Sequence, residues 1–240
     1  MSYKGRTVLA VVPARGGSKS IPRKNLCSIG GLSLVAHAAR VAASLHWVDV
    51  RILSSDCDEI CAEARAHGLD VPFTRPEEYA RDMSSSVDMW RHAWIATENH
   101  YKMRFDISIL LEPTSPLRTP EDIERTIDLL INNNYKAAAT VSPTPAHYTP
   151  HKSLTVDNRG CVGFFLKQGE KHALRQSVPQ LYHRNGLCYA VCRETLVDHG
   201  HILEDDCAAV IVDRPVVNID DPFDLEMAEW LWNKSIKKPG

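Results

Sequence analysis

Val8 to Asn25 reads VLAVVPARGGSKSIPRKN, and the fold turns on that stretch. Val8 to Val12 is an unbroken apolar run, long enough for a buried strand and far too short to cross a membrane. Pro13 ends it. Two adjacent glycines, Gly16 and Gly17, then sit among Arg15, Ser18, Lys19, Arg23 and Lys24. Glycine tolerates positive φ, so the loop is expected to turn its backbone N–H groups into a concave nest. The clustered cations call for an anion with several charges, and a triphosphate meets that demand. Neither the Walker spacing nor G-x-G-x-x-G is present. A basic, solvated loop after a strand is the alternative.

The 240 residues allow one large α/β domain, or one domain with a modest insert, and 44% hydrophobic content supports a substantial core. Net charge is −2, so the basic loop is a local concentration. That excludes a nucleic-acid binder that relies on general electrostatics. Seven scattered cysteines without C-x-x-C spacing read as reduced thiols in preference to a zinc site. MSYKGRT leads straight into the first strand with no signal-peptide core and no membrane span, so a cytoplasmic protein is expected.

Working outward, Ser33 to Leu45 has apolar residues at helical spacing, and Asp49 to Ser54 reads as a second strand ending in Ser54-Ser55-Asp56. Asp58 to His67 is helical and stops at Gly68. This order predicts a parallel sheet with right-handed crossovers and a ligand rim beyond the strands' carboxyl ends. The serines of RPEEYARDMSSS (Arg75 to Ser86) are placed to cap a helix running to about Glu98. Met89, Trp90, Ala93, Trp94 and Thr97 form its core stripe. Asp106 to Leu111 is a third strand, leading into the turn Glu112-Pro113-Thr114-Ser115-Pro116-Leu117-Arg118. Thr119-Pro120-Glu121-Asp122 has the form of a capped helix start, with the helix reaching about Asn132. Lys136 to Ser142 supplies a fourth strand.

From 143 to 182 the pattern becomes proline-broken and β-rich, with Asp157-Asn158-Arg159-Gly160 as a hairpin turn, and reads as an inserted arm. Gly186 to Cys192 returns to a core strand. Asp205 to Asp213 and then Val216 to Asp220 precede a last helix, capped by Asp221 with Pro222 first.

Five stretches together resemble the CMP-sialic acid synthetases, or acylneuraminate cytidylyltransferases: PARGGSKSIPRKN, RPEEYARDMSSS, LLEPTSPLR, RQSVPQLYHRNG and NIDDPFDLE. They occur in the family's order across nearly the whole chain. The resemblance implies a mostly parallel α/β sheet flanked by helices, of the nucleotide-diphospho-sugar transferase kind, with residues 143–182 as a dimerisation arm. It also implies a homodimer that uses CTP, Mg²⁺ and a nine-carbon 2-keto sugar acid. Ala14, Arg15, Gly16, Gly17, Ser18, Lys19, Lys24, Asn25, Arg75 and Ser86 would hold the nucleotide. Arg15, Lys19, Lys24 and Asp220 would be catalytic. Asp220, with Asn218, would meet the metal. Glu112, Lys152, Arg175, Gln176 and Asn185 would contact the sugar, Lys152 from the arm into a neighbouring subunit's site. Two positions depart from the family pattern: Glu112 replaces a usual Gln, and Asn218 a usual Asp. They point toward a nonulosonate other than N-acetylneuraminate. An eight-carbon 2-keto acid, a sugar 1-phosphate, or a nucleotide-sensing role without catalysis are the alternatives.

Overall fold

A computed structural model describes residues 3–167, 169–172, 178–203 and 206–236, without the side chains of His172 and Ile236. The chain divides into two compact units, the first of residues 1–140, 185–210 and 214–240, the second of residues 141–184 and 211–213.

The first strand, β1 (Val8–Pro13), is followed by a two-stranded ribbon of β2 (Ser28–Ile29) and β3 (Leu32–Ser33) and by α1 (Leu34–Ser44). Then come β4 (Val50–Ser54), α2 (Asp58–Ala66), α3 (Ser86–Tyr101), β5 (Ile107–Leu110), α4 (Pro120–Asn132) and β6 (Ala137–Pro143). A hairpin of β7 (Leu154–Val156) and β8 (Val162–Phe164) precedes β9 (Tyr182–Cys192), β10 (Cys207–Ile211) and α5 (Pro222–Ile236). The central sheet is mostly parallel, in the order β10-β6-β9-β5-β1-β4. β1 lies parallel to both β4 and β5.

The apolar run of β1 is continuous because both faces of the sheet are covered. Val8, Ala10 and Val12 pack with residues of α1, α2 and α4. Leu9 and Val11 point the other way, onto Trp90 and Trp94 of α3. The stripe of α3 is core, as its spacing predicts: Met89, Trp90, Ala93, Trp94 and Thr97 are all buried. Trp90 Nε1–H donates to Ser108 Oγ at 2.9 Å, which satisfies the one polar atom that this ring buries. Ser85 Oγ caps α3 by accepting from Val87 N. At α4 the Thr119–Asp122 capping box forms in both directions. Asp122 is almost fully buried and also pairs with Arg214 (2.5 Å).

β9 runs antiparallel to β5, Ile107 pairing with Cys192 and Leu110 with Tyr189, so the return strand is not another parallel crossover. Residues 216–220 form no strand; Ile219 N–H reaches Thr114 O at 2.8 Å and fixes this segment to the 112–118 turn.

In the second unit, β7 and β8 pair in antiparallel register around the predicted turn. Thr144 N–H donates to Leu181 O at 2.8 Å, so the two ends of the 144–181 segment meet.

Candidate active site

A cleft of about 720 Å³ opens in the first unit, lined by the loop after β1, the segment between Arg75 and α3, the turn after β5, and Asn218 with Asp220. The carboxyl ends of parallel strands place these loops together. Arg15, Gly17, Ser18, Lys19, Lys24, Asn25, Arg75, Ser86, Glu112, Asn218 and Asp220 all line it. Motifs separated by up to two hundred residues of sequence thus share one concave surface.

The cations are held in different ways. Arg15 NH1 is 2.8 Å from Asp82 Oδ1, and Lys19 Nζ is 2.6 Å from the other oxygen of that carboxylate. The Lys19 hydrogen bond, helped by Arg15, holds the Asp82 carboxyl below the usual range. Lys24 Nζ donates to Ile219 O at 3.0 Å and lies 3.7 Å from Asp220 Oδ1. Asn25 is buried and donates through Nδ2 to Arg15 O, bracing the loop from behind. Arg75 is buried as well: its guanidinium binds Ser54 through the hydroxyl (3.0 Å) and the carbonyl oxygen. Burial pulls its pKa down to about 10, so it stays charged at neutral pH.

The glycines do not act as expected. Neither Gly16 nor Gly17 has positive φ; within the loop that conformation falls to Arg23 (φ 55°). Gly16 is required by close approach, since a Cβ there would lie 2.9 Å from Cys57 Cβ. Its N–H donates to Asp56 Oδ1 (2.8 Å) and not into the cleft. The loop presents side-chain cations more than a backbone nest. Ala14 is buried, its N–H donating to Ser54 O.

Across the cleft, the buried Arg118 binds the carbonyl oxygens of Glu112 (2.7 Å), Gly186 (3.0 Å) and Leu187. It ties the turn after β5 to β9. Gly186 has φ +71°, and a Cβ there would sit 2.6 Å from Ser115 Oγ and 2.9 Å from Glu112 Oε2. Ser115 Oγ–H lies between Asn185 O (3.1 Å) and Asn218 Oδ1 (3.3 Å). Glu112 and Asn218 therefore flank one crowded corner of the site.

Asn185 is buried and its Oδ1 accepts from Thr140 Oγ (2.6 Å) and Leu187 N (3.2 Å), so it braces the rim from inside. Lys152 belongs to the second unit. Arg175 and Gln176 lie outside the described residues. The sequence reading passed over Tyr79, Arg81, Asp82, Ser84 and Ser85, which also line the cleft. Asp82 stands in the middle of the quoted RPEEYARDMSSS motif, and an acid facing a cation-rich loop was the available signal.

Among the described residues no three of His, Cys, Asp and Glu come together to cage a metal, and no helix is long and apolar enough to cross a membrane. The side chain of Asp220 is 79% exposed.

Known proteins resemble the chain over nearly its full length. A CMP-N,N'-diacetyllegionaminic acid synthase of Legionella pneumophila is 27% identical, over 93% of this chain and 95% of its own. A pseudaminic acid cytidylyltransferase of Campylobacter jejuni is likewise 27% identical, over 93% and 95%. An N-acylneuraminate cytidylyltransferase of Escherichia coli is 28% identical over 92% of this chain but only 51% of its own. Among solved structures, a CMP:2-keto-3-deoxy-manno-octonic acid synthetase complexed with CTP shares the fold, with TM-score 0.71 and 20% identity over 95% of this chain and 99% of that one. The family model described as cytidylyltransferase matches residues 9–195, which hold the cation loop, the Arg75–Ser86 segment and the turn after β5, and the chain belongs to that family of nucleotidyltransferases.

Proposed function

We propose that the protein transfers CMP from CTP to the anomeric hydroxyl of a nonulosonic acid. The hydroxyl oxygen forms a bond to the α-phosphorus, the α–β anhydride bond breaks, and pyrophosphate leaves. The observation that carries this reading is the convergence of Arg15, Lys19 and Lys24 on one cleft, where the structure already neutralises them with carboxylates. Transferring a nucleotidyl group requires positioned positive charge where the triphosphate accumulates negative charge, and little covalent chemistry from the protein. The names of the relatives support a nine-carbon acceptor.

Asp220 and Asn218 offer hard oxygen donors on the lining of this cleft, which suits Mg²⁺. Magnesium keeps several waters and shares phosphate oxygens, so the exposed Asp220 carboxylate suits its habit. When bound, the ion would neutralise charge on the leaving pyrophosphate. Lys24, anchored on Ile219 O, would hold the same phosphate chain from the protein side.

The deciding experiment is incubation with each nucleoside triphosphate, Mg²⁺ and a panel of acceptors, with mass detection of the nucleotide sugars. The expected result is a CMP-sugar from CTP and a nine-carbon acid. Preference for an eight-carbon acid or a sugar 1-phosphate would replace the acceptor in this reading. Nucleotide binding without any product would leave a sensing role instead.

A further inference from the structure

Arg15 and Lys19 each take one oxygen of the same carboxylate, that of Asp82, at 2.8 and 2.6 Å. A two-oxygen anion bridging two cations has the geometry of a bound phosphate group. We propose that Asp82 occupies, in the ligand-free protein, the place of one phosphate of the nucleotide, and that it must release Arg15 and Lys19 before the triphosphate can bind. Asp82 is thus a built-in competitor that sets nucleotide affinity. The proposal rests on the triphosphate reading of the cleft given above.

The segment that carries Asp82 is constructed to let go. Its backbone hydrogen bonds close on themselves: Tyr79 N–H to Pro76 O, Ala80 N–H to Glu77 O, Ser84 N–H to Arg81 O. Ser84 Oγ adds a bond to Glu78 O, and Arg81 pairs with Glu77 inside the same segment. Among the described residues, its outward attachments are the Tyr79 ring, which stacks on His92 at 4.8 Å and packs against the core beside α3, and the Asp82 ion pairs. The ends are fixed. Arg75 is buried on Ser54, its N–H bonded to Ser55 O, and Ser85 caps α3. Met83, next to Asp82, is 95% exposed, so the Asp82 end of the segment faces solvent, while Tyr79 at the other end packs on the core beside α3.

Displacement is forced by charge. A triphosphate cannot share Arg15 and Lys19 with a carboxylate a few ångströms away without like-charge repulsion. Removing the charge of Asp82 should therefore favour polyphosphate, even though it deletes two ion pairs of the free protein. Exposed pairs of this kind are weak, because solvent screens both charges. The gain expected on their removal is accordingly modest, roughly three- to tenfold in affinity.

The test is calorimetric titration of the wild type, Asp82→Asn and Asp82→Glu with tripolyphosphate and with CTP, at one fixed ionic strength. Asp82→Asn is expected to bind both ligands roughly three- to tenfold more tightly than the wild type, and Asp82→Glu no more tightly. Asp82 is partly exposed, so neither substitution disturbs the core. Equal or weaker binding by Asp82→Asn would overturn the proposal, because Asp82 would then be orienting the cations and not competing for them. If the variant gains tripolyphosphate affinity while no CMP-sugar forms from any acceptor, the competitor stands and the proposed reaction falls. If the wild type makes CMP-sugar while Asp82→Asn shows no gain, the reaction stands and the competitor falls.

Discussion

The two units of the chain bury their apolar residues to very different degrees. In the first, Val8 to Val12 are fully buried and both faces of the sheet are covered by helices. In the second, Leu154, Val156, Val162, Phe164 and Phe165 are 52–68% exposed on a hairpin of two three-residue strands. A two-stranded hairpin is marginal by itself in water, and a bare apolar face calls for a cover. The lesson is a division of labour. The first unit holds its own core and the whole described cleft, whereas the second is built as a surface. We propose that a second copy of the chain covers it, which gives the arm its dimerising role.

That comparison can be broken in several ways, taken from the largest effect down. Chelation of divalent ions should abolish product formation and Mg²⁺ should restore it; full activity in chelator would remove Asp220 from the metal role. Lys24→Ala and Arg15→Ala should each lower turnover by roughly a hundredfold or more with an unchanged circular dichroism spectrum. Wild-type rates in both would take the triphosphate out of this cleft. Arg118→Ala should destabilise the first unit by about 4 kcal/mol in denaturant titration, because buried carbonyl groups lose their donor.

Deleting residues 144–181, whose ends meet through Thr144 and Leu181, should leave the first unit's thermal transition within a few degrees of the parent. Sedimentation should then show monomers; an unchanged dimer would end the arm hypothesis. The smallest effect is one of pH. Lys19, with Arg15, lowers the pKa of Asp82, so the contact is complete above the unfolded aspartate value of about 3.9. It should be lost as pH falls through the lower folded value. Carboxyl resonances should place the Asp82 midpoint below about 3.9, and a midpoint above it would contradict the pairing.

The local features were legible because local chemistry sets them. The apolar run of β1, the Thr119–Asp122 box and the Trp90/Trp94 stripe each follow from spacing and side-chain type. So does the hairpin turn at Asp157–Gly160, where Gly160 takes φ +80°. The direction of β9 was not legible, since nothing within Gly186 to Cys192 records which neighbour it joins or from which end. The role of Gly16 was misread for a related reason: the sequence shows a glycine but not the Cys57 side chain that packs against it. Asp82 was overlooked because its meaning lies in its two partners, Arg15 and Lys19, more than sixty residues earlier in the chain. The buried role of Asn185 depends on Thr140 and Leu187 in the same way.

Arg118 has one more consequence, and it concerns the timing of assembly. Its guanidinium joins a turn to carbonyls nearly seventy residues downstream, and Thr114 receives Ile219 from a hundred residues away. A chain leaving the ribosome can lay down β1, β4 and β5 early, but the rim that Ile219 joins must wait until residue 219 has emerged. Any nascent fragment ending before residue 185 would carry the cations of Arg15, Lys19 and Lys24 without Asn218 and Asp220 on the cleft lining and without the carbonyls of Gly186 and Leu187 that hold Arg118.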